Sequence, residues 1–335
     1  MLKEFINKDR DKELNAVRNG FGEAIVEEGE KNKDIVVITA DVTESTRCDK
    51  FAEKFPERFF NVGVAEQGMA SVAAGLGVSG KIPFISSYAV FSPGRNWEQI
   101  RTTIAYNDSN VKIAGHHAGI MTGEDGATHQ AIEDIATMRV MPNMKVIVPC
   151  DAIEAKKATI VATQIWGPVY IRLARAKTPV ITTAPAPFEL GKAEIFWDSS
   201  KNTKSRTKTP QVCIVACGPL VANALTVAEI LDKENIGSVV LNVHTIKPLD
   251  EQKILEMAKK CGAFVSLEDH SVIGGLGSAI AELLATQKPT PMEFVGIKDV
   301  FGESGNPLEL IDKHGLSVQD IVQAVKRVIK KKYLC

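Results

Sequence analysis

Runs of apolar residues alternate with amphipathic stretches through the first half of the chain. Short Val/Ile-rich runs predict buried strands, because a strand covered on both faces needs no polar side. The predicted strands are 35–39, 82–86, 111–114, 145–148 and 169–173, and a further short, buried strand is predicted over 59–64. The predicted helices lie near 12–30, 66–78, 95–105, 130–138 and 152–164. This alternation favours an α/β fold with a mainly parallel, doubly wound sheet.

Between 174 and 210 the regular alternation of apolar and amphipathic runs stops. Pro179, Pro185 and Pro187 cluster there, and the polar segment WDSSKNTKSRTKTP, typical of a linker or surface excursion, follows. A second alternation comes next, with predicted strands at 211–216, 238–242, 263–267 and 293–296, and predicted helices at 219–233, 251–260, 276–286 and 317–331. We therefore expect a first domain over 1–182, a linker over 183–209 and a smaller, doubly wound α/β domain over 210–335.

Composition and charge exclude several classes of protein. A chain of 335 residues with 44% hydrophobic residues and a net charge of −1 fits two ordinary domains, and does not favour nucleic acid or membrane partners. No apolar run reaches about 18 residues and the N-terminus lacks an apolar signal core, so we expect no transmembrane helix. Six scattered cysteines form no disulfide framework, which favours a reduced, cytoplasmic location.

Glu66 is the one acidic residue of a mostly apolar segment, FFNVGVAEQGMASVAAGLG at 59–77. A buried carboxylate without a partner is costly or takes up a proton, so this carboxyl group needs a partner. The preceding residues predict a short buried strand, and the Gly/Ala-rich run after Glu66 predicts a helix. Because a ligand can approach the N-terminus of a helix, Glu66 is a candidate functional residue.

The densest group of polar residues lies in GHHAGIMTGEDGATHQAIEDIATMRVMPNM, at 115–144. It holds His116, His117, Glu124, Asp125 and His129 in a glycine-rich loop. The segment follows a predicted strand, and open α/β sheets bind ligands at the carboxyl edge. The alternative is a capped loop in which Thr128 begins a helix and Asp125 accepts from backbone amides. The spacing matches no standard zinc pattern, and we expect no metal site in this chain.

This segment resembles the pyrimidine-binding domain of transketolases. The family pattern is H-x7-D-G-x-T-H-Q, followed by R-x-x-P-N-M and P-x-D, and it is matched by His117, Asp125, Gly126, Thr128, His129, Gln130, Arg139, Pro142, Asn143, Met144, Pro149 and Asp151. Further motifs of the family are TIKPLD at 245–250, EDHSVIGGLGSAI at 268–280 and VFGESGNPLEL at 300–310. The resemblance covers nearly the whole chain. It implies the C-terminal subunit of a split, archaeal-type transketolase, an enzyme that moves two-carbon ketol units between sugar phosphates.

The resemblance implies thiamin diphosphate as the cofactor. In the family a glutamate, here Glu66, hydrogen-bonds the pyrimidine ring and drives the imino tautomer, so Glu66 is expected to be catalytic. Tyr88 and Phe91, in SSYAVFSPGR, match the aromatic pair that flanks this ring. Long transketolases have a third aromatic three residues later, where this chain has Gly94, with Trp97 on the next turn. The F-x-x-G-R form instead resembles shorter, archaeal-type members.

The resemblance also implies a sugar-phosphate site. The matching residues are Arg18, Ser45, His117, Asp125, His129 and Arg175. Arginine suits bidentate contact with phosphate, although Arg18 has a plain surface charge as its alternative. His129 is expected to be catalytic as a proton shuttle. Arg172 competes with Arg175 for the phosphate role, and the family spacing favours Arg175.

The metal half of the family's site has no counterpart in this sequence. Transketolases hold the diphosphate through Mg²⁺ or Ca²⁺, bound by a G-D-G motif and a later asparagine in a separate domain. We therefore expect a separate N-terminal transketolase subunit that holds the metal and shares the thiamin diphosphate. The expected assembly is α2β2, a heterotetramer of the pentose phosphate pathway, with sugar phosphates as substrates.

Three alternatives remain open. 1-Deoxyxylulose-5-phosphate synthase shares the D-G-x-T-H-Q loop but is usually one long chain, and tends to read E-E-N where this chain has E-D-H at 268–270. The β subunits of 2-oxo acid dehydrogenases pair with a separate subunit but do not normally carry the D-G-x-T-H-Q run. A non-catalytic regulatory or assembly protein would have a damaged site, whereas Glu66, Asp125 and His129 are all present.

Overall fold

The computed structural model describes residues 5–7, 9–10, 12–201 and 205–332. The strands are β1 (Leu14–Ala16), β2 (Ile35–Thr39), β3 (Phe59–Asn61), β4 (Ile82–Tyr88), β5 (Lys112–His116), β6 (Lys145–Ile147), β7 (Val169–Leu173), β8 (Lys177–Pro179), β9 (Glu194–Asp198), β10 (Pro210–Ala216), β11 (Gly237–Asn242), β12 (Thr245–Lys247), β13 (Phe264–Ser271) and β14 (Met292–Ile297). The α-helices are α1 (Val17–Lys31), α2 (Asp49–Lys54), α3 (Glu66–Val78), α4 (Trp97–Gln99), α5 (Asp134–Arg139), α6 (Ala152–Gln164), α7 (Val221–Lys233), α8 (Glu251–Cys261), α9 (Leu276–Gln287), α10 (Pro307–Lys313) and α11 (Val318–Lys332).

The larger sheet has the strand order β12-β6-β7-β5-β4-β2-β3. The neighbours from β6 to β3 pair in parallel, and β12 pairs antiparallel with β6. Every residue of β2, β5 and β7 is buried, as the continuous apolar runs predict for strands covered on both faces. On one face α1 packs tightly against α6, because Gly20 has no side chain: a Cβ there would lie 1.8 Å from the carbonyl oxygen of Ala152.

The second sheet has the order β14-β13-β10-β11-β9 and is parallel except for β9, which runs antiparallel to β11. The two sheets with their covering helices confirm the predicted fold class of two α/β domains, the first larger than the second. Strand β9 lies inside the stretch 183–209 that the sequence predicts as a linker, and it belongs to the second sheet. No helix of the described residues is long and apolar enough to cross a membrane.

Several predicted elements differ from the observed ones. The strand predicted as buried over 59–64 is short and lies at the sheet edge, where it pairs only with β2 and leaves Phe60 46% exposed. The helix predicted over 95–105 is the short α4 followed by a π-helix from Ile100 to Ala105. The helix predicted over 130–138 begins only at Asp134, because Ala131 pairs with Ala118 and accepts from the amide of Gly119.

Candidate active site

The predicted site residues gather at the carboxyl edge of the first sheet. Tyr88 ends β4, His117 follows β5, and Arg175 follows β7. The chain after β2 carries Ser45, and Glu66 is the first residue of α3. Parallel strands with right-handed crossovers bring their carboxyl ends to one edge, so residues far apart in the sequence meet there.

Glu66 is 2% exposed and has found a partner within the chain. Its Oε2 accepts a hydrogen bond of 2.8 Å from Nη1 of Arg95, whose side chain is half exposed. The side-chain amide of Asn96 donates to the backbone oxygen of Glu66 at 3.0 Å and fixes the first turn of α3. A carboxylate has about four acceptor positions, so this contact leaves Glu66 able to accept from a ligand.

Four rings line the site next to Glu66. Tyr88 and Phe91 stack with centroids 6.0 Å apart and planes inclined by 22°. The ring centroid of His117 lies 3.9 Å from that of Tyr88, and the rings of His129 and Phe91 are nearly perpendicular with centroids 5.5 Å apart. The guanidinium group of Arg95 lies 4.6 Å from the ring centroid of Phe91, which joins the Glu66 ion pair to the aromatic group.

Three cationic side chains, Arg18, Arg47 and Arg175, lie near His117 and are called the arginine group. Nη1 of Arg18 donates to the carbonyl oxygen of Ser45 at 2.7 Å and lies 3.5 Å from Nε2 of His117. Burial, followed by the charges of Arg47 and Arg175, lowers the pKa of Arg18 to about 10. Arginines that repel one another at a partly buried place favour the binding of an anion.

His117 has a strained backbone and a buried ring. Its φ of 54° lies in the left-handed region, which is uncommon for residues other than glycine and concentrates at functional sites. Arg18 is always a donor, so Nε2 of His117 accepts and the ring proton lies on Nδ1. Nδ1 of His117 and Nε of Arg18 are buried and find no hydrogen-bond partner within the described parts of the chain, so both can donate to a ligand.

We expect the imidazole of His117 to stay neutral at every pH from 5 to 8. Burial, helped by the charges of Arg18, Arg175 and His129, lowers its pKa to about 3. The measurement is a pH titration of the histidine ring signals by NMR on the full chain, with the variant His117→Gln to assign the signal. A midpoint near the ordinary value of about 6.5 would show that the ring is not enclosed as described.

Arg175 and Arg172 separate clearly in the structure. Nη1 of Arg175 donates to the carbonyl oxygen of Thr122 at 2.7 Å and to Oε2 of Glu124 at 2.8 Å. Arg172 is buried and forms an ion pair with Asp134. The two predicted phosphate candidates therefore differ, since only Arg175 faces the site. Asp125 is exposed at the rim, where its charge acts on Arg18.

Sequence reasoning missed two residues of the site, Arg95 beside Glu66 and Arg47 beside Arg18. Arg95 stands in the quoted F-x-x-G-R string, so its place one turn after Phe91 was a usable signal. Arg47 gives no such signal, because it reaches the site from a loop by donating to Asn19 at 2.8 Å. Trp97 does not replace the third aromatic, since it packs against the core and donates to the carbonyl oxygen of Thr137.

Comparisons with known proteins show the family of this chain. Residues 14–180 match the family model described as "Transketolase, pyrimidine binding domain", and residues 201–321 match the one described as "Transketolase, C-terminal domain". A transketolase C-terminal section from Methanocaldococcus jannaschii is 44% identical over 94% of this chain and 96% of its own length. A 6-deoxy-6-sulfo-D-fructose transketolase subunit from a Clostridium species is 40% identical, with 94% and 95% covered. A solved structure described as a split gene transketolase, inactive β4 tetramer, is 46% identical with a TM-score of 0.86, covering 95% of this chain and 99% of that one. The chain belongs to the transketolase family and comprises its pyrimidine-binding and C-terminal domains.

Proposed function

We propose that this chain is the C-terminal subunit of a two-subunit transketolase, which moves a two-carbon ketol unit between sugar phosphates. The observation that carries the proposal is the buried carboxylate of Glu66 beside a stacked aromatic pair, with a group of arginines across the same site. An acid for a ring nitrogen, flat faces for the ring and cations for a phosphate are the parts that this reaction needs.

The residues present fit the pyrimidine ring of thiamin diphosphate. When bound, this cofactor would supply the carbon nucleophile that the reaction needs. Glu66 holds a proton at a ring nitrogen, and its burial keeps water from competing for that hydrogen bond. Tyr88 and Phe91 offer their faces to the flat ring.

The arginine group fits the phosphate of a sugar substrate. Arg18 and Arg175 bind the phosphate oxygens, with the Ser45 loop holding Arg18 in place. His117 lies beside Arg18, and its Nδ1, which has no hydrogen-bond partner among the described residues, offers a donor for the same phosphate. Asp125 and His129, at the rim, contact the sugar hydroxyls, and His129 moves a proton at the substrate oxygen.

A separate N-terminal subunit completes the proposed site. It holds the Mg²⁺ or Ca²⁺ and the diphosphate of the shared cofactor, in a cytoplasmic α2β2 assembly of the pentose phosphate pathway. Support comes from the relatives named as a section or a subunit of transketolase, and from a 46% identical relative described as an inactive tetramer of β chains. An exposed apolar edge around Phe60, Val64 and Val72, next to Glu66, suits such a partner.

We expect the purified chain alone to show no ketol transfer and little or no binding of thiamin diphosphate by calorimetry. Adding the N-terminal subunit with Mg²⁺ should produce both, because the isolated chain offers only the pyrimidine half of the site. Xylulose 5-phosphate with ribose 5-phosphate tests the proposed reaction, and pyruvate as donor tests the two other thiamin enzymes. Robust transfer by the isolated chain would refute the two-subunit proposal, and turnover of pyruvate alone would refute the transketolase reaction.

A further inference from the structure

The loop that carries the substrate residues is held from the second domain. Asp269, on β13, is 4% exposed and points its carboxylate at this loop. Its Oδ1 accepts from the amide of Ile120 at 2.9 Å, and its Oδ2 accepts from the amide of Met121 at 3.3 Å. A carboxylate that takes two backbone amides fixes both the position and the direction of a loop.

The fit between this carboxylate and the loop leaves no room for adjustment. Gly119 has a φ of 82°, and a Cβ on it would lie 2.0 Å from Oδ2 of Asp269. Glycine is therefore needed there both for the left-handed backbone and for the close approach. The loop and Asp269 are matched to one another across the two domains.

The amides that Asp269 holds come directly before the residue that organises the site. The hydroxyl of Thr122 donates to the carbonyl oxygen of His117 at 2.7 Å. The carbonyl oxygen of Thr122 accepts from Nη1 of Arg175 at 2.7 Å. A shift of Ile120 and Met121 would therefore move two of the proposed phosphate ligands together.

Asp269 is itself fixed from the first domain. Nη2 of Arg172 donates to the backbone oxygen of Asp269 at 2.8 Å, while the same guanidinium group binds the carboxylate of Asp134. The strand that carries Asp269 is thus tied to the end of β7, next to Arg175. This closes a ring of contacts around the substrate loop.

We propose that Asp269 is a positioning residue by which the second domain sets the substrate loop, and with it His117 and Arg175, for binding of the sugar phosphate. The part of this inference that concerns turnover rests on the proposed function. The mechanical part, that Asp269 orders the loop, concerns the chain alone.

The first test is hydrogen exchange of single amides in the full chain. The amides of Ile120 and Met121 should exchange slowly in the natural protein and about tenfold or more faster in Asp269→Asn and Asp269→Ala. The control is Glu282→Gln, which weakens a different contact between the domains, the exposed ion pair with Arg139. Fast exchange in the natural protein, or unchanged exchange in both Asp269 variants, would overturn the inference.

The second test is the kinetics of the assembly with the N-terminal subunit. Asp269→Asn should raise KM for the phosphorylated donor about tenfold or more with little change in kcat, because misplaced phosphate ligands weaken binding. A purely structural loss would reduce the active fraction, which lowers apparent kcat and leaves KM as it was, and that result would overturn the inference. An inactive natural assembly would instead refute the proposed function, while the exchange result would still decide whether Asp269 orders the loop.

Discussion

Replacement of Glu66 by glutamine is expected to reduce kcat of the assembled enzyme about a thousandfold. An amide has nearly the shape of the carboxyl group, but it can neither carry the charge nor take part in proton transfer with a ring nitrogen. The site around it should stay intact, because the glutamine oxygen still accepts from Arg95, and Arg95 is half exposed and can be hydrated. The measurement is ketol transfer with the N-terminal subunit present at saturating cofactor.

Two comparisons make this result decisive. Glu98→Gln changes an exposed glutamate on α4 near the same site, and it should leave turnover unchanged. Thermal unfolding of the Glu66→Gln chain should stay close to that of the natural chain, so that lost activity is not lost structure. A Glu66→Gln enzyme with the natural rate would refute the catalytic role of this carboxyl group.

Much of the scaffold is predictable because burial leaves a strong signal in the sequence. Helices α3 and α6 and strand β7 have the predicted bounds. In β7 the reason is a run buried along its whole length. For α6 the reason is a cap, since Asp151 accepts from the amide of Glu154 at 2.7 Å. Strand β9 gives a weaker signal, since it lies in a polar, proline-rich stretch and depends on pairing with β11.

The sequence was enough to propose the candidate site residues, which stay predictions, but not how they are organised in the fold. The resemblance to the family proposes Glu66, Tyr88 and His117, because each stands in a short motif string of this sequence. The contact of Asp269 with Ile120 joins positions 149 residues apart, and neither residue type predicts this contact. The same is true of β12, which belongs to the second half of the chain but pairs with β6 in the first sheet. Contacts between domains depend on the folded geometry and leave no periodic pattern.

Replacement of Arg172 by methionine is expected to lower the free energy of unfolding by about 3 to 5 kcal/mol at pH 7. The guanidinium group donates to both carboxylate oxygens of Asp134, at 2.8 and 3.1 Å, and the two side chains are 4% and 1% exposed. Its removal leaves the charge of Asp134 buried, and also leaves the carbonyl oxygens of Ala131 and Asp269 without this donor. Lys81→Met, which breaks an exposed pair with Asp34, should cost less than about 1 kcal/mol.

The pH dependence of the Arg172→Met effect separates an electrostatic loss from a packing loss. Burial alone would raise the pKa of Asp134, but the charges of Arg172 and His270 and the bonds from Arg172 and Tyr170 lower it overall. A carboxyl group whose pKa is lowered by folding stabilises the protein above its unfolded pKa of about 3.9, and this contribution is lost as the pH falls through the folded value. The difference in free energy of unfolding between natural and variant chains, measured by denaturant unfolding, should therefore be largest near neutral pH and shrink on acidification.

The double variant Asp134→Asn with Arg172→Met should lose less free energy of unfolding than the sum of the two single variants, because no buried charge is left alone. A difference that is constant with pH, or additive losses, would show that packing and not the ion pair carries the stability.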